Sequence, residues 1–421
     1  MLVLCGGARS AQEAIGTLPL SEAKRVFTEL AQACERDGGK LWGRDLHRPV
    51  LLVDPGTRKI VGNQADKQGH LVEQEGVFVG TLPKDRPVAN APIEWAGVHW
   101  AMVLVPYLGD TPEQRLGVLA HESFHVVQPE LGQYVFGAEC SHLEEVDGRV
   151  WMQLEWNALQ AALAATDDAR RAAVSDALDF RAARRAHFSG AADAENKVEL
   201  REGLANYTGR RIAGRSDAEV VAYVAERRAA EDGFMRSFAY NSGPLYGYLL
   251  DGARDGWRSA VRADTDLGLL LAAAYDVAPD VTRAETRAAA YGGDALRAAE
   301  EQRARDRAER LATWKADLVD GPVLVLDLKL VTSGTMDTRK VHPFDAKSNV
   351  FTERSLIAKW GTLTVHDGAI LEETVTKRGC VSLRGAAEDH RSGPGWTLEL
   401  APGWTIAPGV RPGDLVVREG S

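Results

Sequence analysis

DTPEQRLGVLAHESFHVVQP, residues 110–129, is the stretch on which the reading of the chain turns. Thr111 suits a helix N-cap, Pro112 suits the first helical position, and Gln114 completes a capping-box pattern. The apolar run from Leu116 continues to Val127, and Pro129 places the stop near Gln128. Inside this helix His121-Glu122-Ser123-Phe124-His125 has the form H-E-x-x-H. Residues four apart share one helix face. Two imidazoles in that register can grip one Zn²⁺, and Glu122 can reach the water that such an ion activates.

Upstream, residues 93–106, IEWAGVHWAMVLVP, form the strongest strand candidate in the chain, and they lead directly into the helix. Val50-Leu51-Leu52-Val53 ends at an Asp54-Pro55-Gly56 turn, and Lys59-Ile60-Val61-Gly62 follows at hairpin distance. With short runs at 71–72 and 76–79, residues 41–107 read as a small, mostly antiparallel sheet. Ahead of it, residues 20–37 have helical spacing, with Ser21 as N-cap and Gly38-Gly39 as stop. Downstream, residues 143–187 read as helical with a break at Asp167-Asp168. Further helices are expected over 195–212, 217–228, 234–250 and 267–277. Residues 283–319, interrupted at Gly292-Gly293, read as a solvated or packing helix without a sustained heptad. After Asp320 short alternating runs separated by Gly, Pro, Asp and Asn predict a β-rich module. The expected fold class is therefore α+β. The expected division is 1–19 as a signal remnant or frayed start, 20–110 as the first helix and sheet, 111–320 as the helical part, and 321–421 as the β module.

The chain has 421 residues, is 45% hydrophobic and 26% charged, and carries a net charge of −10. Such a chain can bury a core without disulfide staples, and its charge argues against general affinity for nucleic acid or anionic lipid. Arginines cluster at 181–185, with acidic residues close by in sequence. Cys5, Cys34, Cys140 and Cys380 show no C-x-x-C, so no thiolate zinc site follows, and any disulfide is unreadable. No apolar run approaches the ~20 residues that span a bilayer. The opening MLVLCGGARSA admits two readings, an export signal that begins upstream or a plain frayed start. The first implies a secreted or periplasmic protein, the second a cytoplasmic one.

A catalytic zinc takes three protein ligands and keeps one position open. A metzincin-type third histidine would need Gly at 128 and His at 131, where the chain has Gln128 and Leu131. Carboxylates are the remaining candidates, and Glu199-Leu200-Arg201-Glu202-Gly203-Leu204-Ala205-Asn206-Tyr207 stands out. With H-E-x-x-H, this segment resembles the gluzincin metallopeptidases, the group that includes thermolysin-like and aminopeptidase-N-like enzymes, several of which carry E-G-x-A-x-Y. The resemblance implies a zincin-like catalytic domain with Glu202 as third ligand. Glu199, three residues earlier on the same helical face, is open as an orienting group or as the ligand itself. Glu155 is a more distant candidate.

Tyr240-Asn241-Ser242-Gly243-Pro244-Leu245-Tyr246 looks like the Y-x-K-G-x-x segment of aminopeptidase-N-like enzymes, with Ser242 in place of lysine. That match implies Tyr240 as oxyanion donor, with Tyr246 and Tyr248 as alternates. It also implies that residues 93–97 form an edge strand that pairs with substrate backbone. Glu94 is noted there without a catalytic role. The resemblance spans roughly residues 93–250. It leads to the expectation of a zinc metallopeptidase acting on peptide or protein, with Glu122 as general base. Two other readings stay open: a non-catalytic binding protein on the same scaffold, and a metal hydrolase of a non-peptide amide or ester. Absence of a G-x-M-E-N-like stretch leans away from an aminopeptidase.

Overall fold

A computed structural model describes residues 14–16, 18–136, 138–231, 233–336 and 340–420. Cys5 and the rest of the opening segment lie outside them. The fold is α+β, with two mixed sheets and a β-rich C-terminal region. The chain divides into two compact units, residues 1–300 and 301–421.

The first unit opens with β1 (Ala14–Ile15), β2 (Leu18–Pro19) and α1 (Leu20–Asp37). α1 starts one residue before Ser21, so the N-cap position falls to Pro19, which has no side-chain acceptor; Gly38 closes the helix in the left-handed region as expected. Then come β3 (Val50–Val53), β4 (Lys59–Gly62), β5 (Val72–Gln74), β6 (Val77–Thr81), β7 (Ala91–Trp95) and β8 (Val98–Leu104). They form one sheet in the order β5-β6-β4-β3-β8-β7, antiparallel except for β3 and β8. Both faces of its centre are covered, which explains why all four residues of β3 are buried. Val50 and Leu52 join the helical core with Ala101 and Val103. Leu51 and Val53 face a smaller cluster around Trp95, Trp100 and Met102.

The continuous strand expected over 93–106 is instead the hairpin of β7 and β8. Ala96 and Gly97, with φ of 51° and 76°, make a two-residue turn of the type that matches strand twist. β7 ends the sheet, so its outer edge has no strand partner among the described residues.

The helical layer comprises α2 (Pro112–Val127), α3 (Val146–Ala164), α4 (Asp167–His187), α5 (Ala191–Val198), α6 (Leu204–Ile212), α7 (Asp217–Ala230), α8 (Phe238–Ala253), α9 (Leu267–Tyr275) and α10 (Ala284–Ala288). α11 (Gly293–Lys315) follows a left-handed Gly292. The single helix expected over 195–212 is interrupted, because Glu199–Gly203 form a π turn between α5 and α6.

Strands β9 (Val323–Asp327), β10 (Val331–Met336), β11 (Val341–Asp345), β12 (Ser348–Ala358), β13 (Gly361–Glu373), β14 (Arg378–Ser382), β15 (Ser392–Gly393), β16 (Trp396–Leu400), β17 (Trp404–Pro408) and β18 (Leu415–Glu419) make up the second unit's sheet. Its main path runs β10-β12-β13-β14-β9-β18-β17, and only β18 and β9 pair in parallel. Alternation along these strands packs Leu324, Leu326, Leu363, Val365, Trp396 and Leu398 into one core. No helix among the described residues is long and apolar enough to cross a membrane. Cys34, Cys140 and Cys380 are buried and form no disulfide among the described residues; burial pushes Cys34 and Cys140 up to about 12 and Cys380 to about 11.

Candidate metal centre

α2 carries the first two donors. Its start is fixed as the sequence expects: Thr111 accepts from the Gln114 amide, and the Gln114 side chain accepts from the Thr111 amide. Leu119, Ala120, Phe124 and Val127 anchor the helix in the core. That packing leaves His121 and His125 together on another side. Their Nε2 atoms are 3.1 Å apart, and Glu202 Oε2 lies 3.5 Å from each. Each of the three residues offers one donor atom, and all three atoms fall within 4.8 Å of one another. Donors held at ~2.1 Å around a tetrahedral ion stand about 3.4 Å apart, so the observed spacing fits one small cation. Two imidazole nitrogens this close also need a proton or cation between them, since facing lone pairs repel.

Charge and burial act together here. His121 and Glu122 are only 7% and 5% exposed, so neither is well hydrated. Burial pushes the Glu122 carboxyl up, against the opposing pull of His121 and His125. Its Oε2 is buried and has no hydrogen-bond partner among the described residues. Burial also works against ionisation of Glu202, but the two imidazoles 3.5 Å away outweigh it and hold that carboxylate far below the usual range.

Two glycine contacts bring the pieces together. A Cβ on Gly209 of α6 would stand 2.3 Å from the Gly117 carbonyl of α2, and a Cβ on Gly243 of α8 would stand 2.1 Å from the Gly203 carbonyl. Only glycine permits main chains to approach so closely. The first contact sets α6 against the histidine helix. The second sets α8 against the turn that carries Glu202. Tyr240, at the start of α8, thereby donates its hydroxyl to Glu202 Oε2 at 2.8 Å. Its ring stacks on His121, with centroids 5.5 Å apart and planes 5° from parallel.

Pro244 lies inside α8 and has no N–H to give the carbonyl four residues back. That carbonyl belongs to Tyr240, and the Asn206 amide donates to it at 2.5 Å. Asn206 belongs to the same segment as Glu202, so the two sequence motifs are joined by a hydrogen bond neither announces alone. A proline within a helix marks the orphaned carbonyl in advance; its donor is visible only in three dimensions.

The structure separates the remaining candidates from this cluster. Glu199 does not share a face with Glu202, because the widened π turn rotates each residue by less than an α-helix does. Its carboxylate instead accepts from Arg181 at 2.8 and 2.6 Å in a fully buried charge network. This pairing engages the Glu199 carboxylate with Arg181, and the group of possible donors among the described residues consists of His121, His125 and Glu202. Glu155 belongs to the same network, 2.6 Å from Arg184 Nη1, and Tyr246 donates to it at 2.7 Å. Tyr248 donates to the Arg215 carbonyl. Glu94 forms an exposed pair with His99 on the hairpin.

One close neighbour was read only as a helix stop and a metzincin mismatch. Gln128 Oε1 is 2.8 Å from His125 Nδ1, and Gln128 is 3% exposed. Comparison of the chain with protein-family models, with curated proteins and with solved structures found no match.

Proposed function

We propose that the chain is a zinc-dependent metallopeptidase of gluzincin type, built on a zincin-like domain. The observation that supports this best is the convergence of His121, His125 and Glu202, distant in sequence, beside a buried and unpartnered Glu122 oxygen. The two histidines and Glu202 would hold the ion. Zinc bound there supplies Lewis-acid polarisation of the scissile carbonyl and lowers the pKa of water towards ~7.

The protein's own groups do the rest. Glu122 is raised by burial, which suits a carboxylate that accepts the proton of the attacking water and passes it to the leaving amine. Tyr240, stacked on His121, would turn its hydroxyl from Glu202 Oε2 to donate to the developing oxyanion. Burial and nearby carboxylates raise its phenol, so it keeps its proton as that role requires. The free edge of β7 offers backbone amides and carbonyls to an extended peptide.

The test is zinc content of the purified chain, combined with mass-spectrometric peptide profiling of wild type and Glu122→Gln. Expected results are about one zinc per chain in both proteins and hydrolysis in wild type alone, with turnover lowered at least ~100-fold by the loss of the base. Undiminished cleavage by Glu122→Gln would rule the mechanism out. Bound zinc without hydrolysis of any peptide would favour a binding protein, and cleavage of amide or ester probes alone would favour a non-peptide hydrolase.

A further inference from the structure

Gln128 touches two parts of the site at once. Its Oε1 lies 2.8 Å from His125 Nδ1, while its Nε2 donates to the Leu200 carbonyl at 2.8 Å and the Arg201 carbonyl at 3.2 Å. These two carbonyls stand immediately before Glu202. The amide orientation is decided by chemistry: carbonyls can only accept, so the side-chain nitrogen must face them and the oxygen must face His125. The oxygen can only accept, so His125 Nδ1 carries a proton. In neutral His125 the lone pair then sits on Nε2, which faces His121 and Glu202.

The π turn explains why a glutamine fits there. The Leu204 amide donates to the Glu199 carbonyl, one residue further back than in an α-helix. The Leu200 carbonyl thereby loses its ordinary helical donor, and Gln128 supplies one. The same irregularity that turns Glu202 towards the histidines creates the acceptor that Gln128 fills.

We propose that Gln128 is a positioning residue that fixes His125 in the tautomer able to accept a metal and ties it to the turn bearing Glu202, so that two ligands from distant segments are assembled before the ion arrives. The proposal rests on the metal reading above. Gln128 makes one hydrogen bond to the histidine side of the centre and two to the turn, and it touches neither Glu122 nor Tyr240 in these contacts. Removing it frees the imidazole to take either tautomer and unties α2 from the turn.

The experiment uses the full chain with ¹⁵N-labelled histidine, together with zinc titration against a chromophoric chelator. Wild type without metal is expected to show His125 as the Nδ1–H tautomer alone, assigned by loss of its signals in His125→Gln. Gln128→Ala is expected to give mixed tautomers and ~10–100-fold weaker zinc binding. Gln128→Glu keeps the acceptor and the volume but lacks the amide donor. It should restore the tautomer while recovering only part of the affinity, and it serves in place of the alanine variant if that one fails to fold. Unchanged tautomer and unchanged affinity in a folded Gln128→Ala would overturn the proposal, as would a wild-type His125 protonated on Nε2. A wild type that takes no zinc but shows the locked tautomer would count against the metal reading and leave the hydrogen-bond assignment standing.

Discussion

Glu199 and Glu202 stand three residues apart on one turn, and their surroundings are opposites. Behind the turn, Glu199 meets Arg181 through two hydrogen bonds, Glu195 meets Arg184 and Arg185, and Arg185 meets Asp266 at 2.5 Å. Opposite charges lie against one another there, with Arg184, Glu155, Glu195 and Glu199 fully out of water. In front of the turn, two imidazole nitrogens and a carboxylate oxygen converge, and the neighbouring Glu122 Oε2 has no hydrogen-bond partner among the described residues. The rear network sets opposite charges directly against one another, with Arg184 Nη1 2.6 Å from Glu155 Oε2, although Arg181 Nε makes no hydrogen bond among the described residues. The front cluster has its donors aimed at one point and gains from a cation placed there. Unpaired buried atoms occur on both sides, so what sets the front apart is three ligand-type donor atoms within 4.8 Å of one another.

Breaking each side should have opposite consequences. Arg181→Met strips Glu199 and Asp266 of a buried partner, and unfolding free energy should fall by about 3–5 kcal/mol in chemical denaturation. Zinc binding per folded molecule should change much less. Glu202→Gln should abolish zinc retention and hydrolysis while costing the metal-free chain less stability than Arg181→Met does. Equal destabilisation by the two variants would erase the distinction between front and rear.

Next in size is Gly243→Ala. Its new Cβ would collide with Gly203 main-chain atoms at 2.1 to 2.3 Å. The helices must separate, at a cost of about 1–3 kcal/mol, and zinc affinity should drop with it because Glu202 moves. Normal stability in this variant would mean that the close crossing is not what positions the turn. Tyr240→Phe is the mildest in stability, within about 0.5–1.5 kcal/mol of wild type, yet turnover should fall by a factor on the order of 100. Peptide hydrolysis at the wild-type rate would remove the hydroxyl from the mechanism.

Acid should separate the two regions in time. Burial disfavours the charged form of Glu195, but Arg184 outweighs it and holds the carboxylate well below 4.5. A carboxylate depressed in the folded state adds stability that is fully present above its unfolded value near 4.5 and is lost as pH falls through the lower folded value. Zinc, by contrast, competes with protons for two imidazoles and should leave at higher pH. An acid titration followed by zinc-sensitive dye and circular dichroism should show metal release first and unfolding later. Coincident transitions would indicate that the two regions fail as one.

Much of the front cluster is legible in the chain because it is local. The capping box at Thr111, the helix, and the pairing of His121 with His125 all follow from spacing within twenty residues. Glu202 and Tyr240 become candidates through short motifs, and the structure brings both to the histidines. What sequence spacing obscures is set by long-range contact. The face expected to be shared by Glu199 and Glu202 is lost because three-residue spacing assumes regular helix, and a π turn has no reliable local signature. The 93–106 segment reads as one strand because Ala96 is an unusual residue at positive φ. Gln128 looks like a helix end, since its partners at Leu200 and Arg201 lie far along the chain. Gly117, Gly203, Gly209 and Gly243 look like weak points in helices, and only their pairing shows that they are crossings.

Those crossings have a thermal consequence. Main-chain atoms have no rotamers to populate as temperature rises, so a gap set by peptide group against peptide group does not soften gradually. The distance from the histidine helix to the Glu202 turn should stay nearly constant on warming until the helices part altogether. Zinc affinity, on the proposed metal reading, should then fail at the global melting transition, abruptly and together with it, with no earlier phase of slow loss.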